Sequence, residues 1–258
     1  MTESADAVVL LHGWPGGTSD YRLVVPLIEG SARVFVPDLF DFGSGAPERE
    51  AAADAHAERL LRMLRENDVQ SPVIAGYDIG SRIAQALARR APDAVRGLVV
   101  TPPYPGVGDR PFQPAHQAQF WYQHFHRLDV SNRLLDGDEP AIRAYLAHFW
   151  RTWSRDEGMA AGDAFEALVA AYSRPGAFTR SVAWYRANRS YAADQPVRVP
   201  TVMLWPERDP LFPVEWSDRV NEWFSDVRLI TVPGSGHFVP LQAPRAFADA
   251  VSTLAGGR

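Results

Sequence analysis

Pro72-Val73-Ile74-Ala75-Gly76-Tyr77-Asp78-Ile79-Gly80-Ser81 joins an apolar run to a helical one across a turn flanked by glycines. The apolar run reads as a buried strand, and Ser81 to Arg90 reads as a helix. Strand, glycine-flanked turn and helix, in that order, lift the central side chain out at the end of a sheet. The glycines let strand and helix approach closely, and aspartate tolerates left-handed backbone angles better than most residues. A carboxylate displayed this way can attack an electrophilic carbon and form an enzyme ester. The pattern Gly-x-Asp-x-Gly is short, however, and an aspartate ahead of a helix is also a common N-cap. The rest of the chain decides between the two.

Two later segments favour the chemical reading. Thr201 to Trp205 is an apolar strand that leads through Pro206-Glu207-Arg208 to Asp209, and Val227 to Val232 is a strand that leads through Pro233-Gly234-Ser235-Gly236 to His237. Glu215 to Phe224 between them reads as an amphipathic helix. Asp78, Asp209 and His237 therefore each fall just past a strand end, in the chain order nucleophile, acid, histidine. In an open parallel sheet those ends converge on one edge, where ligands bind.

The remaining chain supplies the sheet. Ala7 to Leu11, Arg33 to Val36 and Val95 to Val100 are further strands, making six in all. Helices are expected near Ser19 to Glu29 and over Ala51 to Glu66, with the loop His12-Gly13-Trp14-Pro15-Gly16-Gly17 after the first strand. Strands alternating with helices imply an α/β fold with parallel pairing and right-handed crossovers. The alternation stops at Thr101-Pro102-Pro103-Tyr104-Pro105-Gly106. From there to about Pro196 the chain reads as helices, including Pro114 to His126, Glu139 to Ser154, Gly162 to Ala171 and Ala177 to Asn188. Pro105 to Ala192 holds 15 of the 29 aromatic residues, enough for an apolar roof over the strand ends. The expected organisation is a core of residues 1–104 and 197–258 with a helical lid, 105–196, inserted in it.

Composition narrows the function classes. At 258 residues and 46% hydrophobic, the chain can bury a large core. Without cysteine it has no disulfides, thiol chemistry or Cys-ligated metal. A net charge of −5 and no cluster of Lys or Arg argue against nucleic acid as a partner. Met1 to Ala7 is acidic and polar, unlike a signal peptide, and no apolar run reaches membrane-spanning length. A cytoplasmic protein is expected.

Together, His12-Gly13-Trp14-Pro15, Gly76-Tyr77-Asp78-Ile79-Gly80, Asp209 and Gly236-His237-Phe238 resemble the epoxide hydrolase branch of the α/β-hydrolase fold superfamily. The resemblance extends into the lid, where Phe120-Trp121-Tyr122-Gln123 and Trp184-Tyr185-Arg186 match the segments that carry two ring-opening tyrosines. One departure is that the family's usual first strand pair has no counterpart before Ala7, so one sheet edge is expected to be less covered. The resemblance implies Asp78 as nucleophile, His237 as base, Asp209 as its acidic partner, and Tyr122 and Tyr185 as donors to the epoxide oxygen. It assigns the oxyanion-stabilising N–H groups to Trp14 and Ile79. It implies neither cofactor nor metal, and its substrate class is a small apolar or aromatic epoxide.

The residue types suit that chemistry. An epoxide opens to a poor alkoxide leaving group, and a phenol with pKa near 10 is still protonated at neutral pH and can donate to it. The ester left on Asp78 then needs a base for water, which His237 beside Asp209 can supply. Two other readings compete: hydrolytic dehalogenation by the same three residues, weakened by Ile79 where haloalkane-cleaving relatives usually carry tryptophan, and ligand binding or biosynthetic assistance without turnover. Trp14–Pro15 is expected to be cis, aiming the Trp14 N–H at the oxyanion. Asp38 reads as a loop cap and Arg82 as a structural or solvent-facing residue. His124 and His126, two apart on a helix, point in different directions.

Overall fold

The computed structural model describes residues 6–40, 47–189 and 193–256. β1 (Ala7–Leu11), β2 (Arg33–Phe35), β3 (Val73–Gly76), β4 (Gly97–Val100), β5 (Thr201–Pro206) and β6 (Val227–Val232) form one sheet in the order β2-β1-β3-β4-β5-β6. Every pairing is parallel. The inner strands β1, β3, β4 and β5 are buried along their whole length, which is why they read as unbroken apolar runs rather than alternating ones. The edge strands β2 and β6 are only partly buried.

The chain runs from β1 outward to β2, then returns to lay β3 on the other side of β1. This reversal opens a crevice between the carboxyl ends of β1 and β3, where parallel sheets hold their ligands. The loop His12–Gly17 follows β1 and Asp78 follows β3, so both sit at that crevice. The helices Ala53–Glu66 and Ile79–Arg90 pack on each other, the second also against β1, β3 and β4. The closing helix Pro244–Ala255 packs against the same strands and the short helix Val25–Ile28.

Some expected helices are interrupted. Ser19 to Glu29 is a 3₁₀ turn, Thr18–Tyr21, followed by a separate helix, Val25–Ile28. Pro26 has no N–H to donate and its ring conflicts with a helical carbonyl four residues earlier, so a helix can begin beside it but not pass through it. Pro114 to His126 divides into Pro114–Gln117, a 3₁₀ turn Ala118–Phe120 and Trp121–His126. Residues two apart on a helix point about 200° apart, and the break lets Phe120 and Tyr122 both bury while Trp121 stays 42% exposed. Glu215 to Phe224 opens as a 3₁₀ helix, Val214–Arg219, before the α-helix Val220–Trp223. A helix at Asp129–Leu135 was not anticipated.

Between β4 and β5 the regular elements among the described residues are all helical. Residues 190–192, inside the expected lid, and 41–46, inside the loop after Asp38, lie outside the described residues. The helices between β4 and β5 are bonded to the rest of the chain at several points. Trp150 Nε1 donates to the Pro15 carbonyl at 3.1 Å, Trp14 Nε1 to Ser181 Oγ at 3.3 Å, and Gln242 Nε2 to the Ser154 carbonyl at 2.9 Å. The Ala53 N–H donates to Asn188 Oδ1 at 2.9 Å. The Trp14–Pro15 and Pro102–Pro103 peptides are cis, the first as expected. Among the described residues no helix is long and apolar enough to cross a membrane.

Candidate active site

Asp78 occupies a backbone conformation of φ 51°, ψ −121°, unfavourable for a residue with a side chain. Two glycines make that turn possible. A Cβ on Gly80 would lie 2.1 Å from the Leu11 carbonyl oxygen, and one on Gly76 would lie 2.6 Å from the Gly80 backbone. The Asp78 side chain makes no capping hydrogen bond to its helix, which removes the N-cap reading. Its backbone N–H donates to Thr101 Oγ1 at 3.2 Å, fixing the turn against the end of β4.

His237 stands between the two carboxylates. Its Nδ1 is 2.9 Å from Asp209 Oδ2 and its Nε2 is 3.3 Å from Asp78 Oδ2. The Leu211 N–H donates to the other Asp209 oxygen at 2.8 Å, so that carboxylate is oriented from both sides. The His237 backbone N–H donates to the Trp153 carbonyl at 2.9 Å. That approach requires Gly236, where a Cβ would come within 2.5 Å of the Trp153 and Ser154 carbonyls. Trp153 therefore holds the His237 backbone, and its ring packs edge-on to the imidazole at 5.1 Å.

The Trp14 N–H donates to Asp78 Oδ1 at 3.0 Å. Ile79, whose N–H is the first after Asp78, begins the following helix and lines the same cavity. This cavity, about 30 Å³, brings Asp78, Tyr122, Tyr185, Arg82 and Phe212 to one space. Tyr122 and Tyr185 are buried, with ring centroids 5.7 Å apart and planes at 89°. Gln123 Nε2 donates to Tyr122 Oη at 3.5 Å. Trp14 packs against both tyrosines, stacked on Tyr122 at 5.8 Å and edge-on to Tyr185 at 5.7 Å.

Sequence reading missed several contributors. Asp20 is buried; its Oδ2 accepts from Tyr77 Oη at 2.6 Å and from the Gly17 N–H at 2.9 Å, tying the loop after β1 to the residue before Asp78. Burial raises its pKa. Its three-residue spacing from Gly17 was the only sequence signal. Arg82, read as structural or solvent-facing, is half-buried and lines the cavity. It stands four residues after Asp78, and one helical turn returns it to the same face. His126 is buried against Trp14, with Nε2 2.9 Å from Tyr145 Oη, and burial with Arg186 nearby holds its pKa well below the usual value. His124 is exposed. Asp38 accepts from the Phe40 N–H at 2.9 Å, as a loop cap would.

Burial opposes protonation of His237, but the Asp209 and Asp78 carboxylates outweigh it and raise its pKa to about 10. A pKa raised above the unfolded value of about 6.5 gives stability that is full below that pH and fades as pH rises through about 10. Asp78→Asn keeps the shape and removes one negative neighbour, so His237 should titrate at lower pH. NMR of ring-labelled histidine checks this; an unchanged His237 titration in the variant refutes the electrostatic coupling.

The sequence profile of the α/β-hydrolase fold matches residues 6–244. The chain belongs to the α/β-hydrolase fold family. An epoxide hydrolase of Neurospora crassa is 24% identical over 92% of this chain and 82% of its own. A haloalkane dehalogenase of Bradyrhizobium diazoefficiens is 35% identical over 61% of this chain and 46% of its own. Among solved structures, an epoxide hydrolase without ligand, CorEH, superposes with a TM-score of 0.85 over 97% of this chain and 91% of its own, at 21% identity.

Proposed function

We propose that the protein hydrolyses an epoxide to a vicinal diol through an ester on Asp78, with residues 105–196 acting as the lid of the site. The observation that carries the reading is one small cavity lined by the Asp78 carboxylate and by two buried tyrosines, Tyr122 and Tyr185. An Asp78 oxygen attacks a ring carbon as the carbon–oxygen bond opposite breaks. Tyr122 and Tyr185 hydrogen-bond the departing oxygen, and one phenol proton completes its hydroxyl. Esterification removes the negative charge of Asp78, one of the two that hold His237 protonated, and so lowers the histidine pKa. Neutral His237 then takes a proton from water as the water oxygen attacks the ester carbonyl. The Trp14 N–H, which meets an Asp78 oxygen at 3.0 Å, and the Ile79 N–H at the positive end of a helix stabilise the resulting oxyanion. The proton that His237 gives up on esterification restores the phenol. Collapse of the tetrahedral intermediate expels the glycol oxygen, which takes the proton of the added hydroxyl and leaves Asp78 as carboxylate and His237 protonated.

Similarity to a haloalkane dehalogenase favours a second reading, displacement of halide by the same carboxylate. A single turnover with enzyme in excess over styrene oxide, in ¹⁸O-water, separates the possibilities. The first diol should contain no ¹⁸O, because its new oxygen comes from Asp78, and the label should appear in the Asp78 peptide. Label in the first diol refutes the ester; halide release from 1-chlorobutane without diol from any epoxide selects dehalogenation.

A further inference from the structure

A second cavity, about 350 Å³, lies between the Gly16–Ser19 loop and the insert helices Asp163–Tyr172 and Ala177–Ala187. Among the described residues it shares no lining residue with the cavity at Asp78. The partition is built from hydrogen bonds. Tyr172 Oη accepts from the Gly16 N–H at 3.2 Å and donates to the Gly16 carbonyl at 3.0 Å, while Ser181 Oγ holds the Trp14 indole. Volumes of this order are typical of small-molecule sites, and an apolar lining with a few charged groups is their usual composition.

The apolar part here is Phe40, Leu168 and Ala171. The charged part is Arg174, Arg180 and Asp38. Arg180 is half-buried and, among the described residues, makes no hydrogen bond or ion pair through its side chain. It also sits in the first turn of its helix, where the dipole disfavours a cation. Among the described residues the side chain of Arg174 donates to the Ala171 carbonyl at 3.2 Å, and its charge also acts on Asp38. One Asp38 oxygen already accepts from the Phe40 N–H. Among the described residues the lining thus holds two cations, Arg174 and Arg180, against one carboxylate, Asp38.

We propose that this cavity is a second small-molecule site that takes an amphipathic carboxylate, its carboxylate on Arg180 and Arg174 and its apolar chain over Phe40, Leu168 and Ala171. At about 30 Å³ for each water-sized group, the space holds roughly a dozen such groups, enough for an eight-carbon acid. The proposal does not rest on the reaction at Asp78. Its occupant would lean on the loop whose Trp14 N–H holds that carboxylate.

Calorimetric titration of the full chain with octanoate, octylamine and 1-octanol tests it. Octanoate should bind with Kd of about 1 mM or tighter, and octylamine at least tenfold more weakly. Arg180→Met, which removes the charge, and Ala171→Trp, which fills the space without changing charge, should each weaken octanoate at least tenfold. No octanoate binding by the unaltered chain, equal binding of octylamine, or undiminished octanoate binding by both variants overturns the proposal, the last because the acid then sits elsewhere.

Discussion

His237→Gln is expected to turn the enzyme into a trap: the protein should gain the mass of one epoxide and keep it. Attack by Asp78 needs its own carboxylate and donors on the ring oxygen, and the variant retains both. Hydrolysis of the ester needs a base for water, and the group 3.3 Å from Asp78 that can serve is His237 Nε2. Glutamine fills similar space but cannot accept that proton. A positioned base contributes about 10²–10⁴ in rate, so deacylation should slow by that order while alkylation stays within about tenfold. Intact-protein mass spectrometry during incubation with styrene oxide reads the adduct, and peptide mapping should place it on Asp78. Multiple turnover at the unaltered rate, with no adduct, means that His237 is not the base. Asp78→Asn should form no adduct, apart from slow recovery through deamidation.

The tyrosine pair separates epoxide opening from other uses of the same three residues. Tyr122→Phe or Tyr185→Phe should each slow alkylation by about ten- to a thousandfold, or roughly 1.4–4 kcal/mol, the loss of one transition-state hydrogen bond. The double variant should come close to abolishing it. Its loss should be less than the sum of the single losses, because both donors act on one oxygen. Both side chains are buried against Trp14, and phenylalanine preserves that packing, so melting temperature should change little. Hydrolysis of a preformed ester should be nearly unaffected, since it runs through His237, Asp209 and the N–H groups of Trp14 and Ile79. Rapid-mixing measurement of ester formation, with separate decay of trapped ester, gives both rates. A double variant that opens epoxides at the unaltered rate removes the tyrosines from the mechanism and leaves dehalogenation as the better reading.

The strands and the order of Asp78, Asp209 and His237 were legible because their determinants are local. An inner parallel strand covered on both faces must be apolar throughout, so β1, β3, β4 and β5 show as continuous runs. A side chain raised at a tight strand-to-helix turn needs glycines around it, so the neighbourhood of Asp78 carried its own mark. The halves of the site far apart in sequence were visible only as separate strand-end residues and, in the insert, through resemblance.

Tertiary structure alone decided what each of those residues faces. Asp20 meets Tyr77 across 57 positions, and Ser181 meets Trp14 across 167; no short-range pattern encodes such partners. Arg82 is half-buried and reaches both the cavity at Asp78 and an open surface cleft, which helical spacing does not show, because it says which residues share a face and not what that face meets. What Gly236 is needed for shows only in the packed structure, where the Trp153 and Ser154 carbonyls come against it. The cavity beside Arg180 has no sequence signature at all: it exists because a loop from the core and two helices from the insert leave a space they do not fill. Local backbone preference and burial pattern specify the elements, whereas the pairing of charges and the shape of empty space depend on distances set only when the elements pack.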